Sequence, residues 1–336
     1  MTELVTLADI RAASERISSA ALRTPLLPFD SAEPDRPLWI KPESLQPTSA
    51  FKLRGAYNKI SILLPQAHER GVVAHSSGNH ARAVAWIARR LGLRAVIVMP
   101  DTTPPNKVAA VERLGAEIVI VPPHQRDTRA FELADEHGYV PVPPYDDAHI
   151  IAGQGTVGLE IMADLPDADV VLVPVSGGGL SSGVATAIKA LRPETLVIGV
   201  EPELASDAAQ SLREQRRVVW EPEATYRTVA DGLRTTGLGV LPWEHVRRYL
   251  DGIVTVAEDE ILHAMRRLAL DARLVAEPSG AVAFAAYLAA DNRLPTTGKH
   301  VAILSGGSAD PRLLAKVLLD GTETEQFDHD QQGAHP

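Results

Sequence analysis

The sequence predicts an α/β protein built on mostly parallel sheets with helices on both faces. Two observations carry this. Short β-rich runs alternate with stretches of helical spacing, and the Ser/Gly-rich turns fall between a strand and the helix that follows it. The first strand is expected over 72–74. A helix over 81–91 follows, where Val84, Ile87, Ala88 and Leu91 recur at helical spacing. Strands over 95–99 and 118–121 flank a helix over 106–114. Pro141, Pro143 and Pro144 then break the alternation and mark a crossing between two domains. It resumes at 170–175, a continuous apolar run of the kind expected for a strand buried on both faces. A helix over 184–191 and strands over 196–200, 253–256 and 301–304 complete the pattern, with a buried helix over 281–290. In such sheets ligands bind beyond the carboxyl ends of the strands.

The chain has 336 residues, 45% of them hydrophobic and 23% charged, which suits an ordinary globular protein. No apolar run reaches the roughly 18 residues that span a bilayer, so no membrane partner is expected. The N-terminus is polar and carries no signal-peptide pattern. There is no cysteine, so neither disulfides nor thiolate chemistry are available, and a cytoplasmic location is expected. The net charge is −10 and the Arg-Arg pairs are scattered, which excludes a nucleic-acid footprint.

Three motifs carry chemistry. The first is Lys52, set between Phe51 and Leu53 just after Pro47-Thr48-Ser49. Desolvation lowers the pKa of an ammonium, and a neutral amine can form a Schiff base. The bland alternative is a lysine that snorkels its charge out along its stem. The second is Ser76-Ser77-Gly78-Asn79-His80, a strand-to-helix turn suited to an anion, or else a plain N-cap. The third is Ser176-Gly177-Gly178-Gly179-Leu180, between a strand and a helix. Consecutive glycines let backbone N–H groups turn toward a phosphate. A lysine, a Ser/Asn turn and a phosphate-cradling loop are the parts that a pyridoxal-phosphate site requires.

On these residues the chain resembles the fold-type II pyridoxal-phosphate enzymes (tryptophan synthase β-like) of the threonine/serine dehydratase and serine racemase family. The likeness runs from Thr24-Pro25-Leu26 to Leu304-Ser305-Gly306-Gly307. Asn79-His80 is similar to the dehydratase and racemase branch; the β-replacement synthases usually follow that Asn with Thr-Gly. The resemblance implies two domains, each with a mostly parallel sheet covered by helices. A small domain over 71–148 would be inserted in a large one formed by 1–70 and 149–320. The tail 321–336 is expected to be disordered, and no C-terminal regulatory domain is expected. A homodimer or homotetramer is implied.

The resemblance also implies roles. Lys52 would be the Schiff-base lysine and would take the substrate α-proton. Phe51 would pack beside the cofactor, unless it is ordinary core. Asn79 would bond the ring hydroxyl. Ser76, Asn79 and His80 would hold the substrate carboxylate, though His80 suits a structural place at a helix start equally well. Ser176, Gly177, Gly178, Gly179 and Leu180 would hold the phosphate, with Ser176 where relatives often have a fourth glycine. Ser305 would face the pyridine nitrogen, a neutral partner that favours prompt β-elimination over transamination. Ser77 would stand on the face opposite Lys52 and permit racemisation. Glu201, Ala205 and Asp207 resemble the family's site for Mg²⁺ or Ca²⁺, with a solvated acidic loop as the alternative. Glu277 would line the cofactor site or cap a helix.

Gly153-Gln154-Gly155-Thr156-Val157-Gly158 matches the dinucleotide fingerprint letter for letter. It follows no convincing strand, and no acid stands about twenty residues on, so it is rejected. In the resembling family this run opens a helix. The implied reaction is α,β-elimination: L-threonine to 2-oxobutyrate and ammonia, L-serine to pyruvate and ammonia. The alternatives are an amino-acid racemase with side elimination and a non-catalytic phosphate-ligand binder. Arg126, Asp127 and Arg129, expected near the substrate's distal end, depart from the racemase pattern.

Overall fold

The computed structural model describes residues 3–289 and 293–319. The expected tail 321–336 lies outside them. Among the described residues ten strands form two sheets: β1 Leu27–Pro28, β2 Leu38–Pro42, β3 Val72–His75, β4 Ala95–Pro100, β5 Glu117–Val121, β6 Val140–Pro141, β7 Val170–Pro174, β8 Leu196–Pro202, β9 Gly252–Val256 and β10 His300–Leu304. The six-stranded sheet has the order β1-β2-β10-β7-β8-β9 and the four-stranded sheet β5-β4-β3-β6. Among these strands the β1–β2 pair is antiparallel and every other pair is parallel. The α/β class expected from the alternation is the one observed.

Side chains alternate across each sheet. Val170 and Leu172 of β7 join Val200, Ala302, Ile261 and Phe284 on one face of the larger sheet. Val171 and Val173 join Val197, Ile303, Val157 and Val184 on the other. In the smaller sheet Val72, Ala74 and Ile97 pack on Val84 and Ile87, while Val73, Val96 and Val98 meet Ala130 and Leu133. Period-2 alternation with both faces covered explains why these strands read as unbroken apolar runs. Each fully buried Val, Leu or Ile contributes roughly 1.5–3 kcal/mol.

Strand register places the loops that matter. Leu304 of β10 lies opposite Pro42 of β2, so the loops leaving these strands are neighbours. Pro174 of β7 lies opposite Val200 of β8, which sets the glycine loop beside Glu201.

The glycine run 153–158 does not open its helix. The helix Ala148–Asp164 begins earlier, where the Asp147 side chain accepts from the N–H groups of His149 and Ile150. The glycines instead sit mid-helix and allow close packing. A Cβ on Gly153 would lie 2.6 Å from the Gly55 Cα, and one on Gly155 2.9 Å from the Gly183 carbonyl. The fingerprint is thus a helix-crossing surface.

Candidate active site

Lys52 is the first residue of the helix Lys52–Ile62. The segment before it is strapped to the loop after β10. Phe51 N–H donates to the Ser305 carbonyl at 3.1 Å, and Gly307 N–H to the Ser49 carbonyl at 2.9 Å. Ser49 holds a φ of 60°, the left-handed region that a side chain rarely adopts. Lys52 Nζ stands 5.0 Å from the centroid of the Phe51 ring and donates to the Pro144 carbonyl at 2.8 Å. Burial lowers its pKa to about 8. No carboxylate pairs with it among the described residues, so a substantial share of the amine is neutral near pH 8.

Behind Lys52 lies a buried ionic cluster that the sequence did not disclose. Arg54 donates to both oxygens of Glu43, at 2.7 and 2.8 Å, and to both oxygens of Glu160, at 2.7 and 2.9 Å. Lys41 Nζ adds a bond to Glu160 at 2.6 Å and one to the Thr24 carbonyl at 2.7 Å. Burial alone would push the Glu43 carboxyl up; the guanidinium of Arg54 holds it below its usual value. Two cations face two anions, so the cluster is neutral and its members can be buried. It fixes the first turn of the helix that carries Lys52.

The Ser76–His80 turn follows β3 and leads into the helix Asn79–Leu91. Gly78 is its N-cap, with no side-chain cap bond, so neither Ser76 nor Asn79 is spent on capping. Ser76 Oγ accepts from Gly78 N–H at 3.1 Å, and Ser77 is half-buried in the turn. Asn79 Nδ2 donates to the Glu277 carboxylate at 2.5 Å. Burial, aided by the charge of Asp231, pushes Glu277 up to about 7. His80 Nε2 lies 2.7 Å from the Val142 carbonyl, which makes Nε2 the donor and leaves the buried Nδ1 without a partner among the described residues. Burial, then the nearby Lys52 charge, lowers His80 to about 3, so the imidazole is neutral.

The glycine loop follows β7. Gly178 has a φ of +89° and is the N-cap of the helix Gly179–Leu191, which starts five residues before the expected 184. The first N–H groups of this helix have no intrahelical acceptor. The loop has no space for side chains: a Cβ on Gly177 would lie 2.4 Å from the Tyr145 ring, and one on Gly178 2.7 Å from Leu238. Leu180 is buried in the core below. The Ser176 and Thr235 hydroxyls are 2.8 Å apart. Burial, then the charge of Asp127, pushes the Tyr145 phenol up to about 12, so it stays protonated.

Ser305 follows β10 and is buried, with Oγ 3.4 Å from the Ser279 carbonyl. Glu277 N–H donates to the Gly306 carbonyl at 3.1 Å, which ties Glu277 to the same loop. Two chains of contact therefore converge on Lys52. One runs through Ser305, Gly306 and Glu277 to Asn79; the other through Pro144 and Tyr145 to Gly177.

Arg126 and Asp127 lie near this cluster. Arg126 Nε donates to Asp127 at 2.6 Å, and His75 Nδ1 is 2.9 Å from the same carboxylate oxygen. Arg129 is directed elsewhere, onto Glu132 and Glu136. Tyr145 and Thr235 belong to no sequence motif; the only available signal was the Pro143-Pro144 pair before Tyr145.

Glu201 stands near the end of β8, and Ala205 and Asp207 follow the strand. Glu201 accepts from Ala208 and Ala209 N–H at 3.1 and 2.7 Å. Asp207 Oδ2 is buried without a partner among the described residues. Burial pushes Asp207 up to about 7; burial and the Asp207 charge raise Glu201 well above its usual value.

These residues fit pyridoxal phosphate. A largely desolvated amine can meet its aldehyde carbon. A loop whose Cβ positions are already filled, at a helix N-terminus, can meet its phosphate. Comparison with known proteins agrees. An L-threonine ammonia-lyase of Thermotoga maritima is 42% identical over 325 residues, covering 95% of this chain and 79% of that protein. A crystal structure of the T.th. threonine deaminase is 43% identical with a TM-score of 0.85, covering 91% of this chain and 99% of that one. A maize serine racemase structure is 36% identical with a TM-score of 0.88, covering 96% and 99%. The family model described as pyridoxal-phosphate dependent enzyme matches residues 17–306, and the chain belongs to that family.

Proposed function

We propose that the chain is an ammonia-lyase that dehydrates and deaminates a β-hydroxy amino acid, giving 2-oxobutyrate from L-threonine and pyruvate from L-serine. The observation that carries this reading is Lys52 itself: an amine lowered to about 8, set among the Ser76–His80 turn, the glycine loop and the Ser305 loop. Likeness over nearly the whole chain to an L-threonine ammonia-lyase supports it.

Pyridoxal phosphate, when bound, withdraws the electron pair that a broken Cα–H bond leaves behind. Lys52 would hold it and take the α-proton. Backbone N–H groups of Gly177, Gly178, Gly179 and Leu180, with Ser176, would hold the phosphate. The Asn79 amide would bond the ring hydroxyl while Glu277 orients it, and Ser305 would present a neutral hydroxyl to the ring nitrogen. Phe51, partly buried against the core and 5.0 Å from the Lys52 amine at its ring centroid, would pack beside the cofactor. Ser76, with the backbone N–H groups of Asn79 and His80 at the helix start, would take the substrate carboxylate; the His80 ring itself is spent on the Val142 carbonyl. The β-hydroxyl leaves with a proton as water, and the released enamine tautomerises and hydrolyses to the 2-oxo acid and ammonia.

Ser77 in the same turn favours a second reading, racemisation, in which its hydroxyl delivers a proton on the face opposite Lys52. Residues 71–148 are taken as a small domain inserted in a large one, and the active form as a cytoplasmic homodimer or homotetramer. Glu201, the Ala205 carbonyl and Asp207 are taken as a Mg²⁺ or Ca²⁺ site, supported by the unpartnered Asp207 oxygen. The test is a 2-oxo-acid assay over L-threonine, L-serine, 3-hydroxyaspartate and bulkier β-hydroxy acids, with chiral analysis of the remainder. Absence of 2-oxo acid from every one of them would end the lyase reading.

A further inference from the structure

Thr235 has no part in the reaction as described, yet it stands at the phosphate loop. Its segment backs that loop: Gly239 N–H donates to the Gly177 carbonyl at 3.1 Å, and Leu238 presses on Gly178. Thr235 Oγ1 lies 2.8 Å from Ser176 Oγ, and either oxygen can be the donor. Both residues are half-buried. Two hydroxyls bring two protons, and the contact between them uses one. Neither hydroxyl makes another hydrogen bond among the described residues. One proton of the pair is therefore left to donate, beside glycines whose N–H groups already favour an anion.

We propose that the Ser176–Thr235 hydroxyl pair is a phosphate contact: one hydroxyl donates to the other, which donates to the cofactor phosphate. The inference rests on pyridoxal phosphate being the ligand. A hydrogen bond to a phosphate oxygen is charge-assisted and stronger than a neutral one. The pair forms a short chain, and only its last member touches the anion. Losing that member costs the contact; losing the other weakens it by removing the polarising partner.

The experiment measures the dissociation constants of pyridoxal phosphate and of pyridoxal, which lacks the phosphate, for the apoprotein. Wild type is compared with Ser176→Ala, Thr235→Val, the double variant and Thr235→Ser. One single variant should bind pyridoxal phosphate about ten- to hundredfold more weakly, as for a lost bond to a charged group. The other should lose less, and the double variant should match the larger single loss. Pyridoxal affinity should be unchanged throughout. Thr235→Ser should restore wild-type affinity, which separates the hydroxyl from any effect of Val on folding. Affinities for pyridoxal phosphate within twofold of wild type in both single variants and the double variant would overturn the inference and leave the cofactor assignment standing. Equal weakening of pyridoxal would overturn it too. A wild type that binds no pyridoxal phosphate would overturn both.

Discussion

Lys52 Nζ donates to the Pro144 carbonyl at 2.8 Å, across 92 residues of sequence. The bond ties the head of a helix after β2 to the segment that leaves β6. It satisfies the amine with a neutral acceptor, so nothing offsets the desolvation that lowers its pKa. A neutral acceptor holds the amine in place without holding its proton.

The first expectation concerns that proton. Capture of pyridoxal phosphate by the apoprotein should rise about tenfold per pH unit below pH 8 and level off above about 8. Measured beside a model lysine amide, the cofactor's own titration cancels. A rate that tracks the model lysine up to pH 10 would contradict the buried-amine account.

Glu277 sets a second. Its folded pKa is raised from 4.5 to about 7, so between those values the folded state holds more protons than the unfolded one. Stability is therefore lost as pH rises through that window. Glu201 and Asp207 act in the same direction, so the slope has several sources. Glu277→Gln should flatten it by up to one proton, about 1.4 kcal/mol per pH unit. Urea unfolding of the apoprotein at pH 5, 6 and 7 reads this directly, and an unchanged slope would show that Glu277 titrates normally.

The ionic cluster behind Lys52 gives a third. Glu43→Gln leaves Arg54 buried with only Glu160 and strips charge from a fully buried site. The expected cost is roughly 3–5 kcal/mol, the range for breaking a buried pair. Chemical denaturation checks it; a loss under about 1 kcal/mol would mean that water or a shifted side chain reaches Arg54 in the variant.

Glu201 and Asp207 supply a fourth. Saturating Mg²⁺ or Ca²⁺ should raise the melting temperature of the wild type by mass action. Asp207→Asn should abolish most of that shift. Equal shifts in both proteins, or none in either, would remove the metal assignment.

Much of the site was legible because its residues are consecutive. Ser76–His80 and Ser176–Leu180 follow strands whose unbroken apolar runs already stood out, and the observed β3 and β7 lie within one residue of the expected ends. What escaped depends on tertiary contact. Lys41 interrupts the apolar run of β2 and hides the strand in the sequence; its charge is buried there because Glu160, far along the chain, and the Thr24 carbonyl pair with it. Helix starts at Asn79 and Gly179 were expected later because glycine and serine read as turn. Tyr145, marked only by the preceding Pro143-Pro144 pair, and Thr235, with no local pattern, meet the glycine loop through the fold.

Every step of the proposed chemistry depends on Lys52 driving elimination. The most direct measurement is the initial rate of 2-oxobutyrate from L-threonine, against the rate of epimer formation by chiral chromatography, in wild type, Lys52→Ala and Ser77→Ala. Wild type should eliminate faster than it epimerises. Lys52→Ala should lose at least about 10²–10⁴-fold of 2-oxobutyrate formation, the usual share of general acid–base catalysis. Ser77→Ala should suppress epimerisation while keeping part of the elimination. Undiminished 2-oxobutyrate formation by Lys52→Ala, or a wild type that epimerises faster than it eliminates, would contradict the account.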